Sequence, residues 1–546
     1  MGKKLNLKWV SETIGQEYTK WNKGDSVFIQ AQTGTGKSEF IKKKIVPMAE
    51  YQEKKILYLC NRINLCRQVK LDLLKLMGVD VNEEELDLDK LDKRNIFGNV
   101  TVVTYQKIQQ YIVDKKYGVN VYGKVLNDYD RYDGYDYIVM DEIHSIVQDA
   151  SYNNHTLFFF ENFLKNYQHT SITIYISATM DVIKPIIKRV QEKNNPMICG
   201  KSWEYTTGND FSYINTYYFS KYNDIINTIN NDESGHKWLV FISNADKGVD
   251  LHEKITNSAF ICSENNKHKD KINQEEKVNI INQSKFNCKC LIATKTLDNG
   301  INFNDPLLTN IVILALDKID FLQMLGRKRI DINDADEVNL YIPAKSKKTF
   351  TTIKNKTITP IIEQVKLYYD NQQKFRRIYN PNQDKLGKYN KVFYTDVNNE
   401  LKINNIAYFK IIKQEEFCDY MAVRFKLDYK TAYIYEQLGW IDGEYNEANW
   451  VQDVVSNKVT DALSLYLEGM LGQVMLNASD RVELIEIINV RDGKNNRLLK
   501  NINTLNAKLE ETGINFIIKQ FETSKMIDGK KKKYKQAWKV MKLSDK

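Results

Sequence analysis

The sequence predicts an α/β protein whose parallel sheets form two tandem domains. Three features carry that expectation: two series of short apolar runs separated by helical stretches, a glycine-rich loop closing the first run, and an acid pair closing the fourth. The first series occupies 26–31, 56–60, 100–105, 136–141 and 172–177. The second occupies 215–219, 238–243, 258–262, 290–294, 309–315 and 338–342. Strands alternating with helices read as parallel sheets covered on both faces. Two such series exceed one domain, so the chain divides into 1–205 and 206–345, with the polar, aromatic stretch Gly200–Asp210 as a hinge. A mostly helical region, 346–475, and a basic terminal module, 476–546, complete the expected organisation.

The first run, Val27-Phe28-Ile29, leads into Ala31-Gln-Thr-Gly-Thr-Gly-Lys-Ser-Glu-Phe40 and then a helix-prone stretch. Strand, loop, helix is the context a P-loop requires. Thr33, Gly34, Thr35 and Gly36 let the backbone curl so that N–H groups point at phosphate oxygens, and the helix N-terminus adds its positive end. Lys37 supplies a charge for the β/γ-phosphates of ATP, and Ser38 a hydroxyl ligand for Mg²⁺. Ala31 stands where the general pattern has its first glycine. Alone, the loop would also suit a mononucleotide kinase.

The fourth run ends in Asp141-Glu142-Ile143-His144. An apolar strand ending in acids puts Asp141 at the carboxyl edge of the sheet, beside the P-loop, where it can hold the Mg²⁺ that Ser38 contacts. Glu142 can orient or deprotonate water. A strand end followed by an acid-started helix would look the same in isolation.

Asp-Glu-Ile-His resembles the DEAD/DEAH signature of superfamily 2 helicases, and further motifs of that family follow in order. Cys60-Asn61-Arg62 through Gln68 resembles motif Ia, Val102 to Gln106 the threonine-bearing strand before motif II, and Ser177-Ala178-Thr179 motif III. Leu239 to Ser243 resembles motif IV, Ala293-Thr294 through Asp298-Asn299-Gly300 to Phe303 motif V, and Gln323-Met-Leu-Gly-Arg327 motif VI. The resemblance spans about residues 25–345 and suggests a compact prokaryotic or viral type. It implies two RecA-like domains with ATP between them. It further implies that Arg62, Thr104 and Thr294 meet nucleic acid, that Asp298 and Gly300 face the nucleotide, and that His144, Ser177 and Thr179 couple the two sites. Gln323, Arg327 and Arg329 would reach the triphosphate across the cleft. Motif VI departs from QxxGRxGR: its last arginine comes one position early, at Arg329, and Ile330 takes the arginine slot. Arg329 is the favoured finger and Arg327 the alternative.

Composition fits a nucleic-acid motor. The charged fraction of 27% and hydrophobic fraction of 42% are those of globular proteins. No apolar run approaches a membrane span, so no membrane partner is expected. Seven scattered cysteines without a CxxC pair support neither zinc nor a disulfide framework, which points to a reducing, cytoplasmic setting. Abundant Lys, Asn, Ile and Tyr suit an AT-rich bacterial, phage, other viral or plasmid genome.

Of the net charge of +9, the last 22 residues contribute nine lysines less two aspartates, or +7. Asp528-Gly529 signals a two-residue hairpin turn between an arm at Phe516–Ile527 and a strand where Tyr534, Gln536, Trp538 and Val540 alternate with lysines. Upstream, Leu498, Ile502, Leu505 and Leu509 recur at helical spacing. Helix then basic hairpin resembles a winged-helix module, with Lys531, Lys533, Lys535 and Trp538 as candidate contacts to DNA or RNA. In 346–475, Lys345–Lys356 reads as a linker, Thr359-Pro360 as a helix start, and Tyr394–Ile406 as a hairpin before a helix. The expectation is an ATP-dependent helicase or translocase, DNA favoured over RNA, with replication, recombination or defence proteins as partners. The alternative is an ATP-controlled nucleic-acid clamp or remodeller that does not separate strands.

Overall fold

The computed structural model describes residues 2–79, 87–117, 132, 134–150, 153, 156–194, 200–294, 302–387, 390, 392–396, 400–451, 463–492, 497–512, 514–527 and 530–543. These form two compact units, Met1–Trp450 and Val451–Lys546.

The first unit carries both sheets. In the first sheet the strands are β1 (Ser26–Gln30), β2 (Ile56–Cys60), β3 (Ile96–Phe97), β4 (Val100–Thr104), β5 (Tyr137–Met140), β6 (Ile172–Ser177) and β7 (Ser202–Thr206). They lie in the order β3-β4-β2-β5-β6-β1-β7, all pairs parallel except β3 with β4. The second sheet holds β8 (Ile214–Phe219), β9 (Lys237–Phe241), β10 (Ser258–Ile261), β11 (Cys290–Ala293), β12 (Leu308–Ile313) and β13 (Val338–Pro343), ordered β10-β11-β9-β12-β13-β8 and parallel throughout. β1, β2, β5 and β6 are buried nearly end to end, as parallel strands covered on both faces must be. This is the tandem RecA-like α/β architecture.

The expected hinge at Gly200–Asp210 is corrected: residues 202–206 are β7, pairing with β1 in register Ser26↔Ser202 to Gln30↔Thr206. An edge strand needs no apolar run, and its half-exposed alternation hid it. Beyond it the chain still crosses between the lobes, tied by Gln32 and Asp210, whose amide and backbone exchange hydrogen bonds of 2.8 and 2.9 Å. The linker expected at Lys345–Lys356 is also corrected. It is helical, running from Lys347–Ile353 through a π-turn at Lys354–Ile358 into Thr359–Asp370. Phe350 and Ile358 anchor it in the core, and the wider turn accommodates Pro360, which has no N–H to donate. Thr359 therefore sits inside a helix and caps none. The rest of the accessory layer is a short hairpin, Phe393–Thr395 with Leu401–Ile403, and a long helix, Asn405–Leu427, capped by the Asn404 side chain.

The second unit, taken by itself, begins at Val451, ahead of the 475/476 boundary. Leu463 and Leu467 of a helix over 463–469 pack with Leu484, Leu505, Leu509, Phe516 and Trp538 in its own core. Then come the short strand Val474–Met475, helices Val482–Ile488 and Ile502–Glu511, and a long antiparallel hairpin, Phe516–Ile527 with Lys530–Lys542. The hairpin turn Asp528-Gly529 lies outside the described residues. No described helix is long and apolar enough to cross a membrane.

Candidate active site

The P-loop leaves β1 and enters a helix at Lys37. Ala31 is tolerated in place of glycine because its N–H donates to the Ser177 carbonyl (3.1 Å), continuing the β1–β6 pairing, and its φ is not positive. Gly36 cannot be replaced in the same way: φ is +81°, and a Cβ there would stand 3.0 Å from the Trp9 ring. Thr35, fully buried, donates to the Gln32 carbonyl at 2.7 Å and braces the loop. The Lys37 ammonium donates to the Ala31 carbonyl (3.1 Å) and lies 3.8 Å from Glu142 Oε1.

Asp141 closes β5. Tyr58, from the neighbouring strand β2, donates to its Oδ2 and Tyr105 donates to its backbone carbonyl, both at 2.9 Å. Tyr58 also interacts with the Ser38 side chain, so one phenol touches both expected metal ligands. Burial and the Glu142 charge push the Asp141 carboxyl up to about 6, against the pull of Lys37. Burial works the same way on Glu142, but Lys37, His144, Arg327 and Arg329 outweigh it and hold that carboxyl below its usual value. Glu142 is thus the more acidic member of the pair. Its φ of +49° is uncommon for a residue with a side chain, a local strain of the kind stored at functional sites.

His144 is buried, not a surface-helix residue. Its Nδ1 shares a 2.9 Å hydrogen bond with Ser177 Oγ and lies 3.3 Å from Glu142 Oε2. The Thr179 N–H donates to Ser177 Oγ at 3.0 Å. The three expected coupling residues are therefore one contiguous chain reaching Glu142. Burial holds the His144 imidazole below its ordinary value.

The second lobe contributes the far wall. Gly326 approaches the P-loop so closely that an added Cβ would meet Thr33 Oγ1 at 2.7 Å. Gln323 lies on the helix Lys318–Leu325, and its Oε1 accepts from Arg327 Nη2 (2.8 Å). The motif VI spacing has a simple cause. Lys328 bridges Phe303 as in a parallel strand pair, with Phe303 N–H donating to the Arg327 carbonyl and Arg329 N–H to the Phe303 carbonyl. In an extended chain positions i and i+2 share a side. Arg327 and Arg329 both face the cleft, while Lys328 turns away to donate to the buried Asp305 carbonyl at 2.7 Å. No side-chain hydrogen bond of Arg329 occurs among the described residues. Burial and the neighbouring Arg327 charge lower its pKa.

Lys37, Ser38, Asp141, Glu142, Arg327 and Arg329 thus line one cavity of about 300 Å³ between the lobes, together with Thr33, Gly34, Gly36, Trp9 and Asn302. Tyr58, Tyr105, Gln32 and Trp9 were not singled out from sequence. For the tyrosines no signal exists until strand neighbours are known, whereas Gln32 sits inside the recognised loop.

The expected nucleic-acid residues fare unevenly. Arg62 forks onto Asp149 at 2.7 and 2.8 Å, so its charge is engaged within its own lobe. The Thr104 hydroxyl accepts from the Lys107 N–H, starting a helix, and Thr294 is buried at the end of β11. Asp298 and Gly300 lie outside the described residues. Lys531, Lys533 and Lys535 are exposed on the terminal hairpin. Trp538 is a correction: only 5% exposed, it belongs to the core of its unit with the Arg481 guanidinium over its ring, and offers no stacking surface.

The fold and site define a P-loop nucleoside triphosphatase with two RecA-like lobes. Residues 5–182 match the family described as type III restriction enzyme, res subunit, and residues 220–329 match the helicase conserved C-terminal domain. The chain belongs to the superfamily 2 helicases and is an ATP-binding hydrolase of the nucleic-acid-dependent class. Similar solved structures include the DEAD-box helicase Mss116 bound to single-stranded RNA, at 14% identity over 63% of this chain and 71% of that one, TM-score 0.45. The DUF1998 helicase MrfA bound to DNA gives 11% identity over 76% and 59%, TM-score 0.42. The Escherichia coli DEAH/RHA helicase HrpB gives 14% over 61% and 42%, TM-score 0.38. No curated protein matches the sequence.

Proposed function

We propose that this chain uses ATP hydrolysis between its two lobes to move along or open nucleic acid, with DNA favoured over RNA. The observation that carries it is the single cavity in which Lys37 and Glu142 of one lobe meet Arg327 and Arg329 of the other. Lys37 and the P-loop N–H groups hold the phosphates. The ionised Glu142 orients and accepts a proton from the attacking water. Arg329 meets charge developing on the transferred phosphoryl, and Arg327, already held by Gln323, positions the phosphates beside it. Arg329 suits the finger because its guanidinium makes no side-chain hydrogen bond among the described residues. Ser38 and Asp141 are hard oxygen donors that fit Mg²⁺, which would supply charge neutralisation when bound. His144, Ser177 and Thr179 carry the state of Glu142 toward the nucleic-acid side.

The terminal unit supplies affinity. Its order of helix, short strand, two helices and hairpin supports a winged-helix reading, and the exposed lysines of Lys530–Lys542 suit phosphate contacts that are blind to sequence. The preference for DNA rests on the analogy with winged-helix modules of DNA motors. Competition between DNA and RNA strands of one sequence, read by fluorescence anisotropy, tests it: tighter RNA binding would overturn the preference. A strand-displacement assay separates a helicase from the clamp alternative, which hydrolyses ATP and leaves duplexes intact.

A further inference from the structure

Away from the nucleotide cavity, the two lobes of the first unit also meet where helix Ser145–Asp149 faces helix Lys318–Leu325. There Gln148 Nε2 donates to Asp320 Oδ1 at 2.9 Å, and Asp320 is 4% exposed. The first helix follows Glu142–His144 directly, so Gln148 is covalently close to the catalytic acid. The second helix carries Gln323, which holds Arg327, so Asp320 is rigidly linked to the arginines of the other wall. Gln148 is itself fixed from behind: Arg62 and Gln106 bind the adjacent Asp149, and Lys410 Nζ donates to the Gln148 carbonyl at 3.3 Å. The lobes make another polar contact at the rim, Lys318 to Asp181 at 3.4 Å, but both side chains are about half exposed and solvent screens the pair.

We propose that Gln148 is a positioning residue: its hydrogen bond to Asp320 sets the helix Lys318–Leu325 in the register that places Arg327 and Arg329 opposite Glu142. It touches neither ATP nor the reacting atoms. A neutral amide meeting a buried carboxylate gives a directional contact without the deep trap of a fully buried ion pair, which suits lobes that close and reopen in each cycle. The inference rests on the hydrolytic reading above and adds a residue outside the family motifs.

The experiment compares wild type, Gln148→Glu, Asp320→Asn, the double variant and Lys318→Ala. Gln148→Glu sets two carboxylates against each other at the lobe contact. The double variant restores one hydrogen bond with donor and acceptor exchanged, since the amide introduced on the second helix can donate to the carboxylate introduced on the first. Gln148→Glu is expected to lower kcat about tenfold or more while the KM for ATP moves less than about threefold. The double variant recovers most of the loss, and Lys318→Ala stays near wild type. Wild-type turnover in Gln148→Glu, a loss that appears only in KM, or a loss that Asp320→Asn does not rescue would each overturn the assignment. Small-angle scattering with a non-hydrolysable ATP analogue reads lobe closure independently of turnover. If the wild type closes but hydrolyses nothing, the hydrolytic reading fails while the contact is still judged by whether Gln148→Glu stays open and the double variant closes.

Discussion

Removing Arg329 should make the protein inactive and more stable at once. Two guanidinium groups, Arg327 and Arg329, are held on one wall of a partly enclosed cavity, where burial and the Arg327 charge disfavour the charge of Arg329. Glu142 offsets part of that repulsion, and Lys37 opposes the offset by competing for the same carboxylate. The full balance arrives only with a triphosphate. In Arg329→Ala the backbone bond to the Phe303 carbonyl survives, no side-chain hydrogen bond among the described residues is lost, and one only partly balanced buried charge disappears. Single substitutions that stabilise a protein commonly do so by about 0.5–2 kcal/mol, the range expected here. That corresponds to roughly 2–4 °C in Tm per kcal/mol for a lobe of this size. Turnover should fall by roughly 10³-fold or more, the range associated with an arginine finger, because the charge that develops in phosphoryl transfer loses its partner. Nucleotide binding persists through Lys37 and the loop. Thermal melts without nucleotide, a binding titration with an ATP analogue and steady-state hydrolysis test the three statements together. A lower melting temperature with wild-type turnover would refute the reasoning and mark Arg329 as an ordinary structural arginine.

Three further outcomes follow from the same structure. Trp538→Ala should destabilise the terminal unit by about 3–5 kcal/mol, the range for a buried aromatic, visible as a separate early transition in a melt. Unchanged unfolding with weakened nucleic-acid binding would restore Trp538 as a surface contact. The triple variant Lys531→Ala, Lys533→Ala, Lys535→Ala should leave folding and polymer-free hydrolysis intact. It should make the dependence of log K on log salt shallower by about one per lysine lost, measured by anisotropy titrations. Deleting 514–546 would be a poor substitute, because Phe516, Ile518, Trp538 and Val540 hold the unit together. Because burial depresses the His144 imidazole, the unfolded chain takes up a proton in mild acid that the folded chain does not. Its contribution is full above about pH 6.5 and is lost as pH falls through the depressed folded value. His144→Asn should flatten that part of the melting-temperature profile, with a residual slope from His252, whose imidazole is also depressed by burial.

The sheets and the nucleotide loop were legible because strands buried on both faces are mostly apolar, as β1, β2, β5 and β6 are, with polar residues in β1 only at its ends, Ser26 and Gln30. What failed did so for the converse reason. Edge strand β7 is half exposed and carries Ser, Glu and Thr, so nothing marked it. Lysine-rich Lys347–Ile358 hides a helix whose few apolar residues, Phe350 and Ile358, do the anchoring. In the terminal hairpin, alternation identified the strand but could not say which face met the core, and Trp538 was placed on the wrong one. Arg329 shows the reverse case: a departure from the family spacing became intelligible once Lys328 proved to bridge Phe303, with an arginine on each side of it. The tyrosines on Asp141 depend on which strands are neighbours, information that local sequence does not contain.

The central claim is that a nucleic acid drives ATP hydrolysis in the cavity between the lobes. The most direct test is hydrolysis by the full chain alone and with single-stranded DNA, duplex DNA or single-stranded RNA, beside Glu142→Gln. Stimulation by a DNA polymer in the wild type, absent from Glu142→Gln, is the expected result. Turnover indifferent to every polymer, or unchanged by Glu142→Gln, would contradict the claim and remove the roles assigned to both walls of the cavity.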